Sequence, residues 1–135
     1  MRVADWRTTL NYLLVGLGGA LGSIARYALD GLVLRLATPY FPSGTFVVNV
    51  AGCLVFGAIL GLADAKVLPL APAARLFLLI GLLGGFTTFS TFTFETFQLV
   101  RDGEYARGFL NAAGQVVAGY AAMWASFVAM RIALR

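Results

Sequence analysis

Hydropathy restricts this chain more than any other feature. Four long apolar segments, at about residues 11–29, 44–63, 75–100 and 106–130, are separated only by short polar connections. Each crossing of a bilayer takes about 20 mostly apolar residues. Four crossings therefore use nearly all of the 135 residues and leave no room for a water-soluble domain. Only 12% of the residues are charged, about half the share of an ordinary soluble domain. The expected fold class is an all-α membrane protein: four transmembrane helices in one transmembrane domain, with both termini on one side.

The connections set the boundaries. In the connection from Thr38 to Gly44, Pro39 and Pro42 oppose helix continuation, and Ser43 is placed to cap the second helix. Asp64, Lys66, Pro69 and Pro72 make the next connection, and Arg101, Asp102, Gly103 and Glu104 the last. The first helix is expected to end near Asp30, which puts Arg26 close to its end. Gly16, Gly18, Gly19 and Gly22 make that helix thin, and Cys53, Gly57 and Gly61 form small-residue steps in the second. Such steps let helix backbones approach closely inside lipid. Arg2 and Arg7 ahead of Leu13 and Leu14 also fit a signal peptide, but an uncleaved first helix accounts for the same signals.

The 10 basic and 6 acidic residues are scattered in ones and twos. That is not the clustered basic face of a nucleic-acid binder, so lipid headgroups are the expected partners. With no histidine and Cys53 as the single cysteine, the composition argues against a zinc site and excludes an intrachain disulfide. Arg2, Arg7, Lys66, Arg75, Arg131 and Arg135 fall on the termini side, against Arg26, Arg35, Arg101 and Arg107 opposite. This asymmetry is weak for a rule that orients helices by charge. Insertion in both orientations is therefore expected, with two copies pairing as an antiparallel homodimer about an axis in the membrane plane.

The third segment carries the most chemistry. Gly84 and Gly85 precede Thr87, Thr88, Ser90, Thr91 and Thr93 in the middle of an apolar span. Each glycine costs a helix about 1 kcal/mol relative to alanine, so a broken third helix is expected there. A break frees carbonyls that protein, water or a hard cation such as sodium must satisfy. The competing reading keeps the helix whole, with the glycines serving close packing and the hydroxyls bonded to preceding carbonyls. Phe89 and Phe92 share a face, with Phe86 a turn earlier. Positive ring edges interleaved with hydroxyls suit a narrow anion path that needs no formal charge.

Asn49 is the strongly polar residue of the second segment, and it must face another helix or a wet cavity. Its amide either donates to an anion or bonds a neighbouring helix. Glu95 is expected near the aqueous end of its helix, because an acid beside an anion path would repel the ion. Arg26 either snorkels to headgroups or lines a vestibule that concentrates anions. Asn111 and Gln115, one turn apart, imply an inward polar stripe on the last helix.

Three ordered stretches, Gly18 to Tyr27, Gly44 to Gly52 and Gly84 to Phe92, resemble the motifs of the small fluoride channel family of bacteria and other microbes, over essentially the whole chain. The resemblance implies a fluoride-selective channel, not an enzyme, in the cell inner membrane or plasma membrane. It would export cytoplasmic fluoride passively and confer resistance. It also implies an antiparallel homodimer with two pores and a structural sodium ion at the dimer interface. By the same resemblance Gly84 and Thr87 supply carbonyls to sodium. Phe89 and Phe92 line the ion path with Ser90 and Thr91 between them, Asn49 is the pore-facing amide, and Arg26 serves the vestibule or structure. The fourth helix departs from the pattern: Asn111, Gln115 and Gly119 stand where the family often carries serine hydroxyls. The main rival is a small four-helix proton-coupled multidrug transporter, which needs a carboxylate embedded in its first helix. Residues 11–29 contain no acid. A non-transporting scaffold would leave the polar third helix without a purpose.

Overall fold

The computed structural model describes residues 6–37, 40–68 and 70–134. Arg2, Thr38, Pro39, Pro69 and Arg135 lie outside the described residues. Helix α1 spans Trp6–Leu36 and α2 spans Ser43–Asp64. The third apolar segment divides into α3, residues 72–86, and α4, Phe89–Arg101. Helix α5 spans Tyr105–Ala133. Taking α3 and α4 together as one span, the described residues hold four helices long and apolar enough to cross a membrane. At 1.5 Å per residue α1 is roughly 46 Å long, which exceeds a hydrocarbon core of about 30 Å and carries its ends into the headgroup layers.

Two boundaries differ from expectation. Helix α1 does not stop near Asp30 but runs to Leu36, so Arg26 lies ten residues inside its end. Leu32, Val33, Leu34 and Leu36 continue the apolar run, and the Asp30 carboxylate is seated against Gly44 of α2. A charge held against a neighbouring helix need not end its own. Nor does Ser43 cap α2: Pro42 occupies the cap position without a side-chain bond, and Ser43 Oγ donates to the Phe41 carbonyl at 3.3 Å.

The helices pack as two parallel pairs. In the first, the α1 backbone lies directly on α3: a Cβ on Gly18 would come 2.5 Å from the Phe77 carbonyl oxygen, and one on Gly85 would come 2.5 Å from that of Gly19. A Cβ on Gly22 would run into the Leu82 carbonyl. Over Leu76–Leu83, where α1 is seated, α3 widens to π-helical geometry. In the second pair, α2 and α5 keep one register for about three turns. Asn49 bonds Gln115, 66 residues ahead, and the same offset brings Cys53 to Gly119, Gly57 to Met123 and Gly61 to Phe127. The small-residue steps read from α2 are thus where the α5 backbone comes closest, and Arg131 closes that end on Asp64 at 2.8 Å.

The third span is broken, but not at the glycines. Gly84 and Gly85 belong to the last turn of α3, and the extended residues are Thr87 (φ −85°, ψ 158°) and Thr88 (φ −149°, ψ 113°). Gly85 serves close packing on Gly19, as the competing reading had it, while the interruption falls two residues later. The cause is chemical: the peptide of Thr88 has a partner outside its own helix.

Candidate functional site

That partner is Asn49. Its Oδ1 accepts from the Thr88 backbone N–H at 2.9 Å and its Nδ2 donates to the Thr88 carbonyl at 3.2 Å, so one side-chain amide pairs with both polar groups of one residue. Two strand residues bond in much this way, which explains why extended backbone survives here away from water. The Thr88 side chain then starts α4: its Oγ1 accepts from the Thr91 N–H at 3.3 Å and lies 3.0 Å from the Thr91 hydroxyl. On the other side, the Thr87 hydroxyl donates back to the Leu83 carbonyl at 3.0 Å and finishes α3.

A line of amides continues from Asn49. Its Nδ2 also donates to Gln115 Oε1 at 2.7 Å, Gln115 Nε2 donates to Asn111 Oδ1 at 2.9 Å, and Asn111 Nδ2 donates to Thr96 Oγ1 at 2.9 Å. Thr96 in turn donates to the Phe92 carbonyl at 2.8 Å. Asn111 is fully buried and Gln115 is 8% exposed. Helices α2, α5 and α4 are therefore stitched by side-chain amides around the break. Both N–H groups of Asn49 are committed, so it serves as the interhelical bond of the two roles read from sequence. The inward stripe of Asn111 and Gln115 is present, and its partners are amide and hydroxyl groups of α2 and α4.

Two cavities meet at Thr88, which lines both. One of about 420 Å³ holds Arg26, Asp30, Thr45 and Thr91 in its wall. The other, about 310 Å³, is lined by Asn49, Phe89, Phe92 and Gln115. The break thus separates the expected site residues: Arg26 and Thr91 face one space, and Asn49 with the two phenylalanines faces the other. Ser90 is exposed and lines neither, its hydroxyl 3.4 Å from that of Thr88. The Phe89 and Phe92 rings are 5.5 Å apart and tilted by 51°, a geometry that brings the edge of one toward the other. Gly84 and Thr87 flank the end of α3, where the last carbonyls of a helix have no partner further along it.

Glu95 lies six residues before the end of α4. Helix α4 continues to Arg101, and Glu95 points inward, its Oε1 accepting from the Thr45 hydroxyl at 2.7 Å while Oε2 is buried without a partner. It borders a third cavity, about 340 Å³, beside Tyr40, Phe41 and Pro42. Sequence reasoning missed the Thr45–Glu95 pair. The signal was one hydroxyl at the start of α2, with nothing in its spacing to tie it to α4. Among the described residues no group of three or more His, Cys, Asp or Glu side chains is arranged to hold a metal ion.

Comparison with known proteins gives one consistent result. The family model described as CrcB-like protein, Camphor Resistance (CrcB), matches residues 13–127. Similar curated proteins include the fluoride-specific ion channel FluC of Nitratidesulfovibrio vulgaris strain Miyazaki F, 51% identical over 112 residues that cover 83% of this chain and 90% of the relative. The protein of the same name from Maridesulfovibrio salexigens is 46% identical over 82% of this chain and 86% of its own length. That of Methylobacillus flagellatus is 43% identical over 91% of this chain and 96% of its own.

Proposed function

The chain belongs to the CrcB-like family, and from that premise we propose that it is a fluoride-specific ion channel of the cell membrane, exporting cytoplasmic fluoride passively and so conferring resistance. Four long apolar helices make it a multi-pass membrane protein, and its relatives are named as channels rather than enzymes. The rival reading as a proton-coupled multidrug transporter has no support among those relatives. At the level of residues, one observation carries the proposal: an interrupted helix with a cavity on either side and Thr88 in the wall of both.

Fluoride is small and tightly hydrated, so a path for it must offer several weak donors and no single tight site. The hydroxyls of Thr88, Ser90 and Thr91, and the ring edges of Phe89 and Phe92, are donors of this kind. Arg26 faces the larger cavity with no ion pair among the described residues and would raise the local anion concentration there. Asn49 borders the path beside Phe89 and Phe92 and sets its shape, since its own N–H groups are already bonded.

The inner-membrane location, the antiparallel homodimer and the structural sodium ion belong to the same proposal. The donor set fits sodium in kind: oxygens at the end of α3, from Gly84 and Thr87, are hard ligands at the negative end of a helix dipole. Two carbonyls are too few for one cation, so a second copy would have to complete the set. When bound, the ion supplies fixed positive charge against the carbonyl end of α3.

Fluoride efflux from liposomes holding the purified protein tests the reading, with chloride as the control ion. Efflux of fluoride with negligible chloride is expected, and no fluoride flux would overturn it. Phe89→Ile or Phe92→Ile should lower throughput by about tenfold, the loss of roughly one aromatic contact's worth of stabilisation, without dissociating the dimer. Unchanged flux would remove the rings from the path.

A further inference from the structure

The direction of every bond in the amide line follows from one backbone group. The Thr88 N–H can only donate, so Asn49 must turn Oδ1 toward it. Asn49 then has only Nδ2 left for α5, so Gln115 must present Oε1 to Asn49 and Nε2 to Asn111. Asn111 in turn is left with Nδ2 for Thr96, whose proton goes to the Phe92 carbonyl. No member can flip alone without placing two acceptors or two donors face to face. Such a line is worth more than its separate bonds, because each bond fixes the orientation of the next.

Gln115 is the member that ties Asn49 to α5. Without that acceptor the Asn49 amide keeps its two bonds to Thr88 but loses the third, which holds its side chain in place against α5. From this we infer that Gln115 is a positioning residue: through Asn49 it holds the Thr88 peptide in the extended form that makes the break. It acts on the path without supplying a ligand to it. The inference rests on the reading of this chain as a fluoride channel, but its first readout does not.

That readout is hydrogen exchange at the Thr88 amide, followed by NMR in full-length protein labelled with 15N-threonine and held in lipid nanodiscs. Gln115→Leu removes the acceptor and should speed Thr88 exchange by about fivefold to tenfold, the effect of losing one net hydrogen bond. Threonines remote from the break serve as the internal control and should be unchanged. Gln115→Glu, compared with wild type at a pH low enough to keep the acid protonated, presents an oxygen to Asn49 and an O–H to Asn111, so it should restore Thr88 protection to within about twofold of wild type, a small fraction of one bond. Asn111→Leu cuts the line one step further on and should give an effect between the two. Equal exchange at Thr88 in wild type and Gln115→Leu would overturn the inference, as would a uniform rise at all threonines or failure of Gln115→Glu to restore protection. Fluoride efflux is measured on the same variants and should be slowed in Gln115→Leu. If the wild type itself passes no fluoride, the functional reading fails while the exchange pattern still decides the role of Gln115.

Discussion

The two parallel helix pairs are held together in opposite ways. Between α1 and α3, backbone lies on backbone over Gly18, Gly22, Gly81 and Gly85, and the one side-chain hydrogen bond described between them, Ser23 Oγ to the Gly85 carbonyl, is long at 3.5 Å. Between α2 and α5 the half nearer Gly61 is also a close glycine contact, but the half nearer Asn49 is bonded through amides that reach across to α4. Lipid offers helices no hydrophobic drive to associate, so close packing and interhelical hydrogen bonds are the forces available. The first seam relies on packing, with that one long bond beside it. The second uses hydrogen bonds where the helix must stay broken, and those bonds have direction, so they can hold a particular backbone form as well as hold helices together.

The contrast is broken most severely at Gly22. A Cβ there would strike the Leu82 carbonyl and the Phe86 amide nitrogen, which are backbone atoms and cannot rotate aside. Gly22→Val should destabilise the protein by at least about 3 kcal/mol, the upper end of overpacking costs, and give little monodisperse material on size exclusion in detergent. Gly16→Val on the same helix is the control, since nothing lies within 4 Å of its added Cβ. Equal behaviour of the two would mean that α1 is not seated on α3 as described.

The hydrogen-bonded seam should fail more gently in stability and more completely in function. Asn49→Leu leaves the Thr88 N–H, the Thr88 carbonyl and Gln115 Oε1 without their partner. The expected cost is about 2 kcal/mol, less than three orphaned groups would give in water-soluble cores, because groups in a membrane find substitutes more readily. Thermal unfolding should still be cooperative, while fluoride efflux falls at least about tenfold, as expected when the path loses the form of its backbone. A variant with normal efflux would show that the break does not depend on this amide.

The same contrast explains what could be read from sequence. Hydropathy sums over about 20 residues, so the four spans stand out whatever their neighbours do. The small-residue spacing of Cys53, Gly57 and Gly61 likewise marks a close contact on one helix face. The break was legible as an interruption near Gly84 and Gly85 but misplaced by two residues, because propensity is local while the Asn49–Thr88 pairing joins residues 39 apart. Asn111 and Gln115 show as a polar stripe, yet their partners depend on the register between α2 and α5, which neither helix encodes alone. Arg26 was placed too near a helix end because the apolar run from Leu32 to Leu36 carries α1 past Asp30, whose carboxylate is held against Gly44 of α2, and the Thr45 partner of Glu95 on α2 is likewise something a linear reading does not supply.

The smallest effect belongs to the end of the second seam, where Arg131 Nε meets Asp64 Oδ2 at 2.8 Å with both side chains about half exposed, 44% and 50%. A pair in this position gains little from Coulomb attraction and is screened by salt, so Asp64→Asn should change stability by no more than about 1 kcal/mol. Arg131 also lies over the Phe127 ring, 5.6 Å from its centroid, one turn from the contact of Phe127 with Gly61. If the charge pair only decorates a seam set by packing, Asp64→Asn and wild type should differ in unfolding temperature at low salt and converge at 1 M salt, where the screening length is about 3 Å. A difference that persists at high salt would mean that Asp64 orients Arg131 on the ring and so supports the packing itself, making the two halves of the seam less different than they look.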